Sequence, residues 1–417
     1  MGLRVGARND EPEVASLNLL ALDCNRKGRS ALALPLLLCL SQDEAANPYR
    51  FRITNIRVYS FEEAIYHCYH YWKESIDDFL SDEFIDWIKK DLRLDYLATR
   101  VQALKKLDSL TERLTGFLSL TDYLSRQELV GLRRQLRDWE TRMEWERLKE
   151  RGDNLMTLNH PDKAYSFYKK ALTLEENPRL LNNAALSLLQ LDRPAEAASL
   201  LEKALSGRQG SRHIALNLAE AYIYAHQFEK AEELLLNLGQ RESSAHMDYL
   251  HGELEFQKGN AIAAADYMKK AVAWEADDHY IYRLADVYMQ LKQWDKALDA
   301  LERSKNRGLN FLIKKGEILA SEGKLNEAVA CMENGLEKDP KCIELWIGLA
   351  SYLRMSGQPG RAYEAVNNAL NIDPENQRAL LEQAKTEKIQ GNEKQHHKLI
   401  QDILQRFKDR YREVTTH

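Results

Sequence analysis

Histidine and cysteine are the residue types here best suited to hold a metal or to act as a nucleophile, and His67-Cys68-x-His70 is the densest cluster of them. On a helix, at about 100° per residue, Cys68 falls on the apolar stripe while His70 points to nearly the opposite side. One ion cannot collect all three, so the expectation is a buried cysteine beside two surface histidines. His213, His246 and His279 recur 33 residues apart. Packed helices lie roughly 8–10 Å apart, whereas zinc needs each nitrogen within about 2.1 Å, so this row is a poor metal site. Its functional reading is a surface that gains charge near pH 6; its plain reading is coincidence. The sequence contains no G-x-x-x-x-G-K-[ST] loop, G-x-G-x-x-G turn, G-x-S-x-G elbow or H-E-x-x-H helix. Carboxylates are plentiful, and none stands out from solvated helix faces. The expectation is no catalytic residue, no metal and no cofactor.

Composition narrows the class. The 417 residues exceed one ordinary domain, which favours two packed units. With 44% hydrophobic and 29% charged residues the chain can form a real core and is not disordered. A formal net charge of -5 with no long basic run disfavours nucleic acid. Cys24, Cys39, Cys68, Cys331 and Cys342 are odd in number and form no C-x-x-C pair, which argues for a reducing compartment. No apolar run reaches the roughly 18 residues wanted for a membrane span. Arg26, Lys27 and Arg29 precede the apolar run Ala31–Leu40 and the small pair Ala45-Ala46, a signal-like order. Acidic residues come first, however, and no clean small-x-small site closes the run. Residues 1–46 are therefore expected to be a flexible extension of a cytoplasmic protein, with secretion through residues 26–46 the alternative.

The elements that would position any site emerge from an internal period. Ala164, Ala197, Ala231, Ala264, Ala297, Ala328 and Ala362 are separated by 33, 34, 33, 33, 31 and 34 residues. Twelve residues before each stand Gly152, Ala185, Ala219, Gly252, Ala285, Gly316 and Ala350. Four after come the larger Tyr168, Leu201, Leu235, Met268, Leu301, Met332 and Val366, and seven after come Ala171, Ala204, Leu238, Ala271, Ser304, Gly335 and Ala369. Two helices in a hairpin need small residues where their axes approach and bulky ones in the groove. A single hairpin cannot bury both its faces, so the array propagates. Lys258-Gly-Asn, Glu322-Gly-Lys and Ser356-Gly-Gln fall between paired helices as tight reversals. Pro340 and Pro374 stand at repeat ends.

These units resemble tetratricopeptide repeats, most closely at Trp346-x2-Leu349-Ala350, Ala362-x3-Val366 and Pro374. The resemblance covers residues 145–376 and implies an all-α fold, a right-handed α-solenoid of about seven helix hairpins with a concave inner surface. Residues 377–417 follow as capping helices, Ala379 to Ile389 and then a polar helix after Gly391. Carrying over the family's groove positions places Asn182, Asn183, Asn217, Glu220, Tyr249, Tyr282, Arg283, Asp286 and Lys314 on that surface. Asparagines could bracket a peptide backbone and tyrosines add contact area. The plain reading of the same residues is a set of solvated helix faces. Members that bind chaperone tails use a two-lysine, two-asparagine and arginine clamp. Here those places hold Lys149, Asp153, Asn183, His213 and Asn217, and only Lys149 and Asn183 fit.

Residues 47–144 form a separate helical module. Arg50–Val58 looks extended; Ser60/Glu63, Ser109/Glu112 and Ser125/Glu128 are capping boxes. Phe61, Ala64, Ile65, Cys68 and Trp72 make one apolar stripe, and Phe84, Ile85 and Ile88 mark a second helix. Leu129, Leu132, Leu136, Trp139 and Met143 make a stripe that runs into the first repeat, so a rigid joint is expected. Asn47-Pro48-Tyr49, Val58-Tyr59-Ser60-x-Glu62-Glu63 and Ile85-Asp86-Trp87-Ile88 resemble the N-terminal region of a group of bacterial repeat proteins. Genes of that group often lie near signalling kinases or chaperones, which implies an adaptor. The expected function is a scaffold that binds a protein or peptide on the concave face, with a homo-oligomer surface open to the module. The alternative is a peptide-sensing regulator whose superhelix changes shape on binding. An enzyme carried by residues 47–144 ranks third, for want of a nucleophile–base pair or nucleotide loop.

Overall fold

The computed structural model describes residues 47–206, 211–239 and 244–415. The expected extension over residues 1–46, its signal-like segment, Cys24 and Cys39 lie outside them. The chain divides into two compact units, one ending at Asp192 and the other starting at Arg193.

The first unit opens with a two-stranded antiparallel hairpin, β1 (Tyr49–Arg50) and β2 (Arg57–Val58), in the register Tyr49↔Val58. The extended stretch seen in the sequence is thus a small β-hairpin on an otherwise helical fold. Helices α1 (Phe61–His70), α2 (Trp72–Ser75), α3 (Asp82–Lys90), α4 (Asp95–Leu104), α5 (Leu110–Leu118) and α6 (Arg126–Thr141) follow. Phe51, Phe61, Ile65, Phe84, Ile88, Phe117 and Leu136 are all fully buried in one core. Asp78 pins the hairpin to that core. It is fully buried and accepts hydrogen bonds from Tyr49 Oη (3.0 Å), the Arg52 amide (3.0 Å) and Arg52 Nε (2.6 Å).

Helix starts follow the sequence in part. Ser125 and Glu128 form a reciprocal capping box on α6. At Ser60 the serine caps Glu63 N, but the Glu63 carboxylate accepts from Tyr59 N instead of the capping residue. At Ser109 the serine accepts from Glu112 N as expected, and the reciprocal carboxylate comes from Glu140 of α6, which accepts from Ser109 Oγ, Thr111 Oγ1 and Thr111 N. The stripe through Trp139 ends earlier than expected. α6 stops at Thr141, Arg142 is extended, and Met143 is 67% exposed.

Helices α7 (Glu144–Thr157), α8 (Pro161–Leu174) and α9 (Pro178–Gln190) complete this unit. The sequence boundary at 144/145 therefore marks a kink in the chain and not the edge of a compact body. Lys73 Nζ–Glu150 (2.7 Å), Arg151–Asp77 (2.5 Å) and Asn154 Nδ2 to Glu74 (3.2 Å) tie α7 to the module. Lys163 of α8 donates to the carbonyls of Arg52 and Ile53, each at 2.7 Å. The joint is made by polar bridges, where the sequence pointed to a continuous helix.

The second unit holds α10 (Pro194–Ser206), α11 (Arg212–Tyr224), α12 (Phe228–Gly239), α13 (Ala245–Gln257), α14 (Ala261–Trp274), α15 (Asp278–Gln290) and α16 (Trp294–Leu301). It continues with α17 (Leu309–Glu322), α18 (Leu325–Lys338), α19 (Ile343–Met355), α20 (Pro359–Ile372), α21 (Gln377–Ile389) and α22 (Glu393–Thr415). Consecutive helices pack as hairpins, the expected all-α solenoid repeat. The last pair, α21 and α22, is a hairpin at the place of the expected capping helices.

All seven register alanines are 0% exposed, and the bulky residues four positions later are 1% exposed or less. Volume is shared between the two helices of a hairpin. Glycine faces the larger side chains: a Cβ on Gly152 would lie 2.5 Å from the Tyr168 ring, one on Gly252 3.0 Å from Met268, and one on Gly316 2.5 Å from the Met332 methyl. Where the bulky partner is Leu235, Leu301 or Val366, the small one is Ala219, Ala285 or Ala350.

Every hairpin turn uses one left-handed residue, five before the register alanine. Gly259 (φ +87°), Gly323 (φ +95°) and Gly357 (φ +77°) are the glycines expected from the sequence. Asn159, Asp192, His226 and Lys292 take the same conformation at φ +56° to +58° without glycine's freedom. The hairpin geometry therefore prevails over local preference at those four turns.

Gly152→Ala should destabilise the protein by about 1–3 kcal/mol, because the rigid Tyr168 ring cannot step aside. Gly316→Ala should be near neutral, since only the flexible tip of Met332 must move while helix propensity gains about 1 kcal/mol. Urea unfolding of the two variants checks the contrast; equal losses would contradict it.

Candidate functional site

The first helices of the hairpins carry mostly polar residues at two recurring places, eleven and fourteen residues ahead of the register alanine, with Leu186, Leu250 and Gly348 the exceptions. The two places are one turn apart on the same helix face. In the second unit the first place holds Glu220, Glu253, Asp286 and Glu317, and the second holds Asn217, Leu250, Arg283 and Lys314. The structure joins the first place of one repeat to the second place of the next. Arg283 grips Glu253 with two nitrogens, Nε at 2.7 Å and Nη2 closer still. Lys314 Nζ lies 3.0 Å from Asp286 and 2.6 Å from Glu317 of its own helix. Arg283 Nη1 also sits 3.8 Å from Asp286, which links the pairs into one ladder. The Arg283 guanidinium stacks 4.2 Å from the centre of the Phe256 ring. The first unit repeats the device with an amide: Asn183 Nδ2 donates to Asp153 Oδ1 at 2.9 Å.

Burial makes these pairs structural as well as superficial. Glu253 is 0% exposed, whereas Arg283 and Lys314 retain 22% and 19% of their side-chain exposure. Burial lowers and the carboxylates raise the Arg283 and Lys314 pKa values, and the balance lies above their ordinary ranges. Both cations stay charged. Glu220 differs. Burial, and then the neighbouring Glu253 carboxylate, push its pKa up to about 7.

An aromatic cluster borders the ladder. Tyr249 stacks on His246 at 5.9 Å, and lies 4.9 Å from His279 and 5.3 Å from Tyr280. Tyr224 stands close by, and burial pushes its pKa up to about 12. Two of the three periodic histidines therefore converge on one tyrosine. His246 is held below its ordinary pKa by burial and then by His279 and His213. Among the described residues no group of three His, Cys, Asp or Glu side chains is placed to hold a metal ion.

The nine residues singled out in the sequence fall into two sets. Asn182 and Asn183 belong to the first unit; both are half-buried, with Asn182 Nδ2 3.5 Å from Asn183 Oδ1. Asn217, Glu220, Tyr249, Tyr282, Arg283, Asp286 and Lys314 belong to the second. Tyr249 is corrected most: it is 2% exposed and forms the wall of the face, not its surface. Arg283, Asp286 and Lys314 are drawn together, but into internal pairs. Tyr282 is half-buried on α15, its phenol raised by burial and then by Asp278. Glu253, Glu317 and Tyr224 escaped the sequence reading. The recurring spacing of an acid three residues beyond a cation on α15 and α17 was the available signal.

The two residues that fit the chaperone-tail clamp are already occupied. Lys149 Nζ lies 2.5 Å from Asp153, and Asp153 also accepts from Asn183 and from Tyr168 Oη at 2.8 Å. The chain supplies its own carboxylate at that place.

The His67-Cys68-x-His70 expectation also changes. Cys68 is buried, and its thiol is raised by that burial. His67 is not a surface residue: it is 1% exposed, stacked 3.7 Å from Phe51. Its ring nitrogens lie 2.7 Å from Thr54 Oγ1 and 3.0 Å from Ser75 Oγ. Satisfied hydroxyl partners explain how a polar ring can occupy the core. His70 is exposed, as the helical angle implied. Among the described helices none is long and apolar enough to cross a membrane.

Comparison with known proteins accords with the hairpins. Profiles of the tetratricopeptide repeat match residues 149–212, 188–254 and 309–342. The chain is 30% identical over 205 residues to a human protein O-mannosyl-transferase, covering 46% of this chain and 22% of that one. It is 30% identical over 129 residues to a bovine BBSome complex member, covering 30% of this chain and 25% of that one. The chain thus spans about a quarter of the length of these relatives. Among solved structures, a tetratricopeptide repeat protein from Parabacteroides merdae superposes with a TM-score of 0.43 at 18% identity, over 58% of this chain and 98% of that one. A thermophilic repeat protein from Thermus thermophilus gives 0.34 at 22% identity, over 50% and 98%.

Two outcomes are expected from these contacts. Arg283→Met should destabilise the second unit by about 3–5 kcal/mol, because it strands the buried Glu253 carboxylate; Arg283→Met/Glu253→Met should recover most of that loss. Thermal unfolding of both variants measures the difference. His67 binds its proton near pH 3 when folded and near 6.5 when unfolded. Above pH 6.5 neither state is protonated, so its contribution is constant; as pH falls towards 3 only the unfolded chain takes the proton. Stability should drop by up to about 1.4 kcal/mol per pH unit across that window, with His160, His246 and His251, also lowered by burial, adding in the same direction. Urea midpoints between pH 7 and 4 test this, together with an imidazole NMR signal for His67 that stays neutral at pH 5.

Proposed function

Proceeding from a tetratricopeptide-repeat protein, we propose that this chain is a protein-binding scaffold whose second unit holds an extended partner segment along α11, α13, α15 and α17. Repeats of this type are protein–protein interaction modules and as a rule not catalytic. The observation that supports a binding face is the ladder itself. Its cations are held by carboxylates, fully buried at Glu253, before any partner arrives, so little side-chain entropy remains to be lost on binding. Tyr282, half-buried beside Arg283, adds apolar area with a hydroxyl at low entropic cost. The three described cysteines are unpaired thiols, which suits a reducing, cytoplasmic setting. The human relative's transferase name is carried no further, since the match spans 22% of that protein.

Replacing Tyr282 with a photoreactive phenylalanine analogue in the full chain should yield a discrete cross-linked partner in its native cytosol. The same label at Trp274, 63% exposed at the end of α14, should yield none of it. Equal labelling at both positions, or no adduct from position 282, would remove the face from α15.

A further inference from the structure

Between α11 and α17 one acid lacks a cation altogether. Glu253 is met by Arg283 of the following repeat, Asp286 by Lys314, and in the first unit Asp153 by Asn183. Glu220 occupies the same place on α11, but the residue that should reach back to it from α13 is Leu250, which is 0% exposed. Among the described residues Glu220 forms no hydrogen bond and no ion pair. Glu253, Tyr224 and Tyr249 are among its titratable neighbours.

We propose that a lysine or arginine side chain of the bound partner completes the ladder at Glu220, so that this carboxylate selects a basic residue at one fixed position of the segment. The inference rests on the scaffold reading above and adds the chemistry of its partner. A carboxylate partly withdrawn from water costs free energy unless a cation or donors compensate, and each equivalent acid in the neighbouring repeats has such a partner. The fold cannot supply the cation, because Leu250 is committed to the apolar core. The charge left on the face is negative: Glu253 is met by Arg283, Asp286 and Glu317 share Lys314, and Glu220 has no cation. The raised pKa of Glu220 is what an acid lacking its cation should show. An aliphatic stem would run along the half-buried Tyr224, whose ring suits the methylenes of lysine or arginine. An acidic segment would instead meet Glu220 and Glu317 with like charge.

The test uses the full chain and a randomised linear peptide library displayed on phage. Selection on the native protein should enrich lysine or arginine at one position, and replacing that residue by norleucine in a synthetic copy should weaken binding about tenfold. Against Glu220→Gln, an isosteric change that removes only charge, the same replacement should change affinity less than twofold. Circular dichroism should show Glu220→Gln melting no lower than the native chain, since it relieves repulsion with Glu253. Tyr282→Ala separates the two levels of the argument. Peptides that lose affinity with Tyr282→Ala yet show no basic preference, or keep that preference against Glu220→Gln, overturn the role of Glu220 and leave the scaffold standing. Peptides indifferent to Tyr282→Ala, or no selected peptide at all, overturn both.

Discussion

The close approach of two helices within each hairpin is the constraint from which the rest of this structure follows. Seven alanines in register are sealed from solvent, and opposite each lies a residue whose size is matched across the hairpin. Where tyrosine or methionine fills the groove the facing helix carries glycine; where leucine or valine does, it carries alanine. Packing at interior density leaves no room for both helices to be bulky at one level. The same approach fixes the turn. Reversing direction so tightly needs one residue in the left-handed region, and the fold imposes it on Asn159, Asp192, His226 and Lys292 as firmly as on glycine.

Once hairpins stack, the polar face of the first helices is no longer a row of independent side chains. An acid on one repeat sits a single helix spacing from a cation or amide on the next, and the pair closes across the interface between repeats. Such pairs add orientation more than stability, because desolvation offsets much of the Coulomb attraction. Their effect on function is subtractive. Arg283, Lys314 and Asn183 are engaged internally, Asp153 fills the place of an incoming carboxylate, Glu317 is held by Lys314 of its own helix, and Glu220 has a leucine where the next repeat would supply its partner.

The first unit shows the same economy with different means. Its core is aromatic, and it admits polar groups only where hydroxyls or amides answer them, as at His67 and Asp78. The first repeat is held to it by lysine and arginine bridges from α7 and α8. That is why the compact body extends through Asp192 and does not end where the repeat period begins.

Much of this was readable before any coordinates. The alanine register, the glycine turns at 259, 323 and 357, the helix carrying Phe84 and Ile88 and the reciprocal cap at Ser125 follow from contacts within one or two hairpins. In a repeat array almost every stabilising contact is that local, so a one-dimensional pattern carries it. Other features depended on residues some thirty or more positions away. Burial of Tyr249 needed α15, the reciprocal carboxylate at Ser109 needed Glu140, and the solitude of Glu220 needed Leu250 in the next repeat. His67 hydrogen-bonds across a strand end that only the folded hairpin supplies. Sequence periodicity places a side chain on a face of its own helix; whether that face meets water, a cation or an aromatic ring is set by the neighbouring helix, and only the tertiary structure brings that neighbour into contact.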